Sequence, residues 1–588
     1  MALVERIAGP RLVITSLRRR VRSSEVWLTG LAILAGIAAA VFTLIVGQIA
    51  HGLQVALYGF DANERLSAQQ WIEPMRLIAL PLGGLVVGLS AWWWKTSRSG
   101  PPVDVVEANA LLGGRMGLRD SAFICAQTLV SNGCGASVGL EAAYAQAGGS
   151  GASLLGKWMH LRRADLRTMV AAGAGAGIAA AFGAPLTGAF YAFEVVLGSY
   201  SAGTIAPVVG ASLAATLIVN SLHNFGEPFP MPSAGAVTME PATYVLAAGL
   251  GVICALLAIV VMRLVALLES VANRVRVHAA IRPAVGGLIV AVLVMGSPQV
   301  LSSGRGALAN DLVSSLALTA LLTLIVLKTM ASIVSLGFGF RGGLFFASLF
   351  LGSLVGRAYG LSFIAGGSPI GIDPAVAGLA GMSALAAAII GAPMTMSFLV
   401  LETTRDFGLT AACLAASVIA MTIVRERFGY SFSTWRLHLR GETIRSAHDV
   451  GWLRQLTAGR LMRQNVPTVR ADSTLAEFRN RFPLGSVKIV IALDEADRYA
   501  GLVRVALAHA VTDPTGKTVR DLISKPHETL APDLNIKEIM AAFDRTEADE
   551  LAVADADGYV LGMVSEAYAT RRYAEELEKN RRELTGEV

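Results

Sequence analysis

The segment GAPLTGAFYAFE, residues 183–194, recurs as GAPMTMSFLVLE at residues 391–402. Gly, Ala, Pro, Thr and a terminal Glu fall in register at an offset of 208, and a second pair, VGLEAAYAQ from Val138 and GGLFFASLF from Gly342, lies at an offset of 204. Near-equal offsets mean two homologous halves. The chain must therefore fold as a duplicated unit that closes on itself.

The medium in which it closes is a membrane. Of 588 residues 54% are hydrophobic and only 16% charged, with a mean hydropathy of +0.57, which excludes an ordinary soluble protein. Residues 28–50, 77–94, 244–265, 316–336 and 376–401 are each near the roughly 20 residues that span a hydrocarbon core. Residues 205–219 and 409–424 are shorter or interrupted, which predicts tilted, re-entrant or half-spanning helices. Transporters built from such halves relate them by a pseudo-two-fold axis and bind their substrate at mid-membrane, on the ends of broken helices.

Arg18, Arg19, Arg20 and Arg22 precede the first span, and Arg425 and Arg427 follow the last. The positive-inside rule places both ends of the membrane unit in the cytoplasm after an even number of crossings. A bacterial inner membrane is the expected location. The net charge of +6 is explained by these flanks and calls for no nucleic-acid partner. Cys125, Cys134, Cys254 and Cys413 lie in apolar sequence without paired spacing, so free buried thiols are predicted, with neither disulfides nor a metal.

Composition changes after Arg440, and the organisation read from the sequence is a basic N-terminus (1–26), membrane halves 27–222 and 240–440, a linker (441–459), two similar soluble units (460–512 and 519–575) and a charged tail (576–588). Within the first half, Glu141 stands in a Gly/Ala tract with no Lys or Arg from Ser121 through Gly156. Membrane-embedded ionisable residues are functional by default. The glycines before both copies of this helix leave backbone N–H groups to face an anion, so Glu141 is paired either with such dipoles or, as a neutral carboxyl, with a packing seam.

Four stretches resemble the CLC family of chloride channels and chloride/proton antiporters. SRSGPPVDVVEA resembles the family's GSGIP segment and would place the Ser99 hydroxyl, with Gly100, at the central anion. VGLEAAYAQ resembles GREGP and would make Glu141 the gating glutamate, with Gly139, Leu140 and Ala142 beside the anion. GGLFFASLF resembles GxFxP, implying anion contacts from Leu344, Phe345 and Phe346. FGYSFSTWRLHLRG resembles the last membrane helix, where Ser433 occupies the register of the usual tyrosine and Tyr430 lies three residues earlier. The resemblance implies an all-α, inverted-repeat membrane fold with tilted and broken helices, a homodimer with one pore per subunit, and chloride and protons as the transported species.

The departures are informative. GLEAA lacks the Arg and Pro of GREGP, and GLFFA lacks the final Pro of GxFxP. In AFGAPLTGAFYAFEVV, Glu194 matches the first of two adjacent glutamates of antiporters, but Val195 stands where the internal proton acceptor would be. Channel members carry a Glu-Val pair there. Glu194 and Glu402, equivalent in the repeat, read as capping or hydrogen-bonding groups. Ser99 fits chloride better than the proline of nitrate-preferring plant members.

The tail resembles a tandem pair of CBS domains of α/β class. VPTVRADSTLAEFRNRF with VKIVIALDEADRYAGLVRVALA parallels HETLAPDLNIKEIMAAF with ELAVADADGYVLGMVSEAYA. Such pairs often bind adenine nucleotides, and Ser565 could supply a hydroxyl. Tyr568 replaces the expected Asp and the first unit offers Arg504, which favours a packing and dimer-contact role over a nucleotide cofactor. No Ser-His-Asp set, metal cluster or phosphate-binding loop points to an enzyme, and no output module points to a receptor. The sequence therefore predicts a passive chloride channel gated by Glu141, the alternative being an antiporter whose proton path avoids position 195.

Overall fold

The computed structural model describes residues 24–98, 100–222, 240–274, 278–313, 316–367, 371–439, 456–514 and 516–585. Ser99, most of the basic N-terminus and most of the expected linker lie outside them. The chain divides into a unit ending at His448 and a second from Asp449, a division inside the segment 441–459 read as a linker.

The first unit is helical and duplicated. Its first half runs α1 (Glu25–Tyr58), α2 (Ala79–Ser97), α3 (Val105–Leu111), α4 (Leu118–Gly133), α5 (Glu141–Trp158), α6 (Arg163–Phe182), α7 (Pro185–Tyr191) and α8 (Ala202–Ser221). The second repeats it as α9 (Pro241–Arg274), α10 (Arg282–Val294), α11 (Arg305–Val313), α12 (Leu318–Gly337), α13 (Phe345–Ala365), α14 (Pro374–Ile390), α15 (Pro393–Thr404) and α16 (Phe407–Arg427), followed by α17 (Phe432–Leu439). Seven helices among the described residues are long and apolar enough to cross a membrane.

Packing repeats with the sequence: α5 lies on α6 as α13 lies on α14, and α1 on α8 as α9 on α16. Small residues make the closest approaches possible. A Cβ on Gly148 would stand 2.1 Å from the Gly173 carbonyl oxygen, and one on Gly352 2.3 Å from that of Gly381. The two contacts are equivalents in the two halves.

Three expected spans differ. Residues 376–401 are not one helix, because α14 ends at Gly391, φ +82°, and Pro393 opens α15. Glycine takes the left-handed turn and the residue before proline is kept out of helical geometry. The first half breaks at Gly183 and Pro185 in the same way. Conversely, the segments expected to be short or interrupted form continuous helices: α8 has 20 residues and α16 has 21. In α8, Pro207 lies near the N-terminus, where losing one N–H removes a single helical bond.

The second unit holds two three-stranded sheets. In one, β1 (Thr468–Arg470) pairs in parallel with β2 (Ile489–Leu493), which pairs antiparallel with β3 (Tyr499–Arg504); in the other β4 (Thr529–Leu530), β5 (Glu550–Ala554) and β6 (Val560–Ser565) do the same. The segments that precede each repeat pack across onto the other sheet. Leu456, Ala458 and Leu461, assigned to the linker and first unit, join the core of the second sheet, and Arg463 and Met563 bond each other's backbone at 3.0 and 3.1 Å. Val519, assigned to the second unit, packs in the first core, while Ser524 and Leu502 exchange two 2.8 Å bonds. Each three-stranded sheet leaves an open backbone edge, and the exchanged segment satisfies it.

Candidate functional site

Two helix N-termini meet at the centre of the membrane unit. Glu141 is the first residue of α5 and Phe345 the first of α13, and the loops before them are joined through Gly139 and Gly343. Gly139 donates its N–H to the Gly343 carbonyl at 2.9 Å and Gly343 returns one at 3.2 Å. Further out, Ser137 N–H donates to Ser335 Oγ and Arg341 N–H to Ser131 Oγ, both at 3.0 Å. The Gly139–Gly343 pair is its own image at the 204 offset and the other two bonds are images of each other, which is the signature of a local two-fold.

The loop before α5 is also tied to its surroundings. Asn132 Nδ2 donates to the Val138 carbonyl at 2.8 Å and to Ser302 Oγ at 2.9 Å, and Gln54 Nε2 reaches Asn132 Oδ1 at 3.0 Å. Ser302 is fixed in turn by Lys328, fully buried in α12, whose Nζ donates to the carbonyls of Val300 at 3.1 Å and Ser302 at 2.9 Å. A buried ammonium is tolerated only with such partners.

Glu141 is 6% exposed. Its carboxylate faces its own N–H and that of Phe346 and feels the charge of Arg305, the first residue of α11, while Oε2 has no hydrogen-bond partner among the described residues. The positive charge that bears on Glu141 thus comes from 164 residues downstream, where reading the neighbourhood of position 141 could not find it. Gly139 leaves room for this carboxylate, because a Cβ on it would lie 1.9 Å from Glu141 Oε2 and would displace the side chain.

Two cavities flank this carboxylate. One, of about 400 Å³, is lined by Arg65, Arg305, His51, Tyr144 and Phe346; the other, of about 130 Å³, by Asp104, Tyr191, Val195, Phe345, Ser433 and Arg436. Among the described residues Glu141 alone lines both.

The expected site residues sort as follows. Leu140 and Ala142 flank Glu141, and Leu344, Phe345 and Phe346 begin the facing helix. Gly139 does not serve as an anion donor, because its N–H is used by Gly343. Gly100 is exposed with φ +115°, and it is Pro102 and Asp104 of that segment that reach the smaller cavity. Ser433 lines that cavity and Tyr430 does not; the Tyr430 hydroxyl lies 3.2 Å from His438 Nδ1. Val195 lines it from a π-turn, Ala192–Leu197.

Glu194 faces elsewhere. Its carboxylate accepts from the N–H groups of Met394 and Thr395 at 3.0 and 2.9 Å and from Thr395 Oγ1 at 2.7 Å. Glu402 makes the equivalent set with Leu186, at 2.6 Å, and with the Thr187 N–H and hydroxyl at 2.9 and 2.7 Å. Each glutamate caps the opening turn of the other half's proline-led helix. In the second unit Ser565 ends β6 half-buried, and Tyr568 is 38% exposed.

Halves joined by a two-fold, helix N-termini converging on an intramembrane carboxylate between two cavities, and a tail of paired sheets define a membrane transport protein with a CBS module. The chain belongs to the CLC family: the voltage gated chloride channel family model matches residues 82–425 and the CBS domain model residues 519–575. It is 31% identical over 402 residues to a ClcB-like chloride channel protein of Ralstonia nicotianae, covering 66% of this chain and 92% of the relative, and 29% identical to the voltage-gated ClC-type chloride channel ClcB of Salmonella typhimurium, covering 67% and 95%. Among solved structures it resembles a slow cyanobacterial Cl⁻/H⁺ antiporter (TM-score 0.60, 22% identity, 70% of this chain and 97% of that one) and a eukaryotic CLC transporter (0.59, 18%, 94% and 98%). Members of this family are transporters and channels rather than enzymes, carrying chloride and protons across membranes.

Proposed function

We propose that the protein is a passive chloride channel of the bacterial inner membrane, working as a homodimer with one pore per subunit and gated by Glu141. The observation that carries the reading is that Glu141 alone among the described residues lines both cavities. An ionised carboxylate there competes with a permeant anion for the N–H groups that begin α5 and α13; protonation removes the competitor. Helix dipoles and N–H groups stand in for the halide's hydration shell without holding it as tightly as a full cation would. From the basic flanks at Arg425 and Arg427 we assign the Arg436 cavity to the cytoplasmic side and the Arg305 cavity to the outer side.

Uncoupled passage is supported by Val195, which borders the inner cavity and has no proton to exchange, and by Glu194, whose carboxylate is committed to capping α15. Both relatives named above are themselves named chloride channels. In the CBS pair, Tyr568 beside Ser565 supports a packing and dimer-contact role rather than an adenine-nucleotide site. The deciding measurement is the reversal potential in a planar bilayer under a fixed chloride gradient with a pH gradient imposed in each direction. A value at the chloride equilibrium potential, unmoved by pH, is expected; displacement by the pH gradient, with chloride-driven uphill proton movement, would make the protein an antiporter.

A further inference from the structure

The inner cavity is walled by Val105, Ile124, Val195, Ile389 and Phe345, and few of its polar groups are uncommitted. Gln146 spends its amide on the Val103 carbonyl at 3.1 Å and Ser121 Oγ at 3.0 Å. Asp104, a carboxylate, caps α3 by accepting from the Glu107 N–H at 2.8 Å and can only repel an anion. Arg341 and Arg436 bring positive charge to the wall. Tyr191, the last residue of α7, is different. Its ring centroid lies 6.2 Å from that of Phe345, its phenol lies within electrostatic reach of Asp104 and, less strongly, of Glu141, and no described residue hydrogen-bonds its hydroxyl.

A phenol that lines a cavity, with its ring braced and no hydrogen bond to a described residue, is a donor waiting for an acceptor. Given the channel reading above, on which this inference rests, that acceptor is the permeant anion. We propose that Tyr191 donates a hydrogen bond to a small anion in the inner cavity and, with Ser433, sets which anions pass. Tyr191 belongs to the helix whose N-terminus is capped by Glu402, so the donor is held by the cross-half frame rather than by the last helix, where the sequence reading looked for it. Small, strongly accepting halides gain more from a phenolic donor than large, weakly accepting anions do.

The test is Tyr191→Phe in full-length protein, reading chloride binding by calorimetry and the chloride-to-thiocyanate permeability ratio in bilayers. Loss of a hydrogen bond to a charged group predicts about tenfold weaker chloride binding and a permeability ratio shifted toward thiocyanate. Incorporation of 3-fluorotyrosine at position 191, a stronger donor of nearly the same shape, is expected to tighten binding and guards against a variant that merely unfolds. Unchanged binding and selectivity in Tyr191→Phe, with wild-type conduction intact, would overturn this role alone. A wild-type protein that neither binds nor passes chloride would overturn the channel reading and this role with it. Loss of chloride-driven proton movement in Tyr191→Phe would make the phenol a proton relay between Glu141 and Asp104 instead.

Discussion

Glu194 and Thr395 are joined twice by one carboxylate, which accepts the Thr395 N–H at 2.9 Å and the Thr395 hydroxyl at 2.7 Å and takes the neighbouring Met394 N–H at 3.0 Å as well. Glu402 repeats the arrangement on Leu186 and Thr187. The halves are thus clasped twice by the same device, on helices that cross between them.

Glu194→Gln and Glu402→Gln are each expected to lower stability by about 1–3 kcal/mol, since the amide replaces a charged acceptor at a helix start. Thermal unfolding in detergent checks this. The chloride reversal potential should stay where it is in both; a shift in Glu194→Gln alone would give that residue a part in transport.

Glu141→Gln should conduct with no dependence on external pH, whereas wild-type current rises on acidification as the competing carboxylate is neutralised. Bilayer currents across external pH steps decide the point. A variant whose current still climbs with acid would remove Glu141 from the gate.

Gly139→Ala places a methyl where the Glu141 carboxylate lies. The carboxylate must leave that position, so the variant is expected to carry more current at neutral pH than wild type and to lose much of its acid response. Stability should fall by about 1–3 kcal/mol from crowding.

Lys328→Met removes the ammonium that ties the Val300 and Ser302 carbonyls. A loss of about 1–3 kcal/mol is expected from the stranded carbonyls, and the loop through Asn132 to Val138 loosens with it. Amide exchange at residues 132–140 should quicken more than exchange in α14.

In the CBS unit, burial holds the Glu550 carboxyl above its ordinary range, with Arg463, at 3.2 Å, opposing that rise. A raised carboxyl binds its proton more tightly in the folded state, so its contribution is favourable at low pH and is lost as pH rises through its ordinary value to the raised one. Glu550→Gln should therefore slow amide exchange in β5 and β6 at neutral pH and change little below about pH 4. Faster exchange at neutral pH would mean that the Arg463 pair outweighs burial.

The sequence made the duplication, the position of Glu141 and the capping nature of Glu194 and Glu402 readable, because each rests on local pattern or on a repeat in register. Arg305, Tyr191 and Lys328 were not readable as site residues. Arg305 and Lys328 come from helices far apart in the chain and their immediate neighbours carry no motif, while Tyr191 lies inside the GAPLTGAFYAFE repeat at a position where the second copy has Leu399. The helix break at Gly391 was within reach, since GAP marks a left-handed turn before proline, but an unbroken apolar run from 376 to 401 concealed it. The exchange of segments between the CBS sheets follows from open strand edges, which hydrophobic patterning does not reveal.

The two-fold that pairs Gly139 with Gly343 also makes Phe345 the counterpart of Glu141. The scaffold is shared by both halves, yet only one carries a group that can gain or lose a proton. An architecture of equals thus acquires a front and a back: one helix begins with a carboxylate, while its counterpart presents an inert ring. Under the gating proposed above, a single difference between duplicated helices would make a symmetric conduit respond to one side of the membrane.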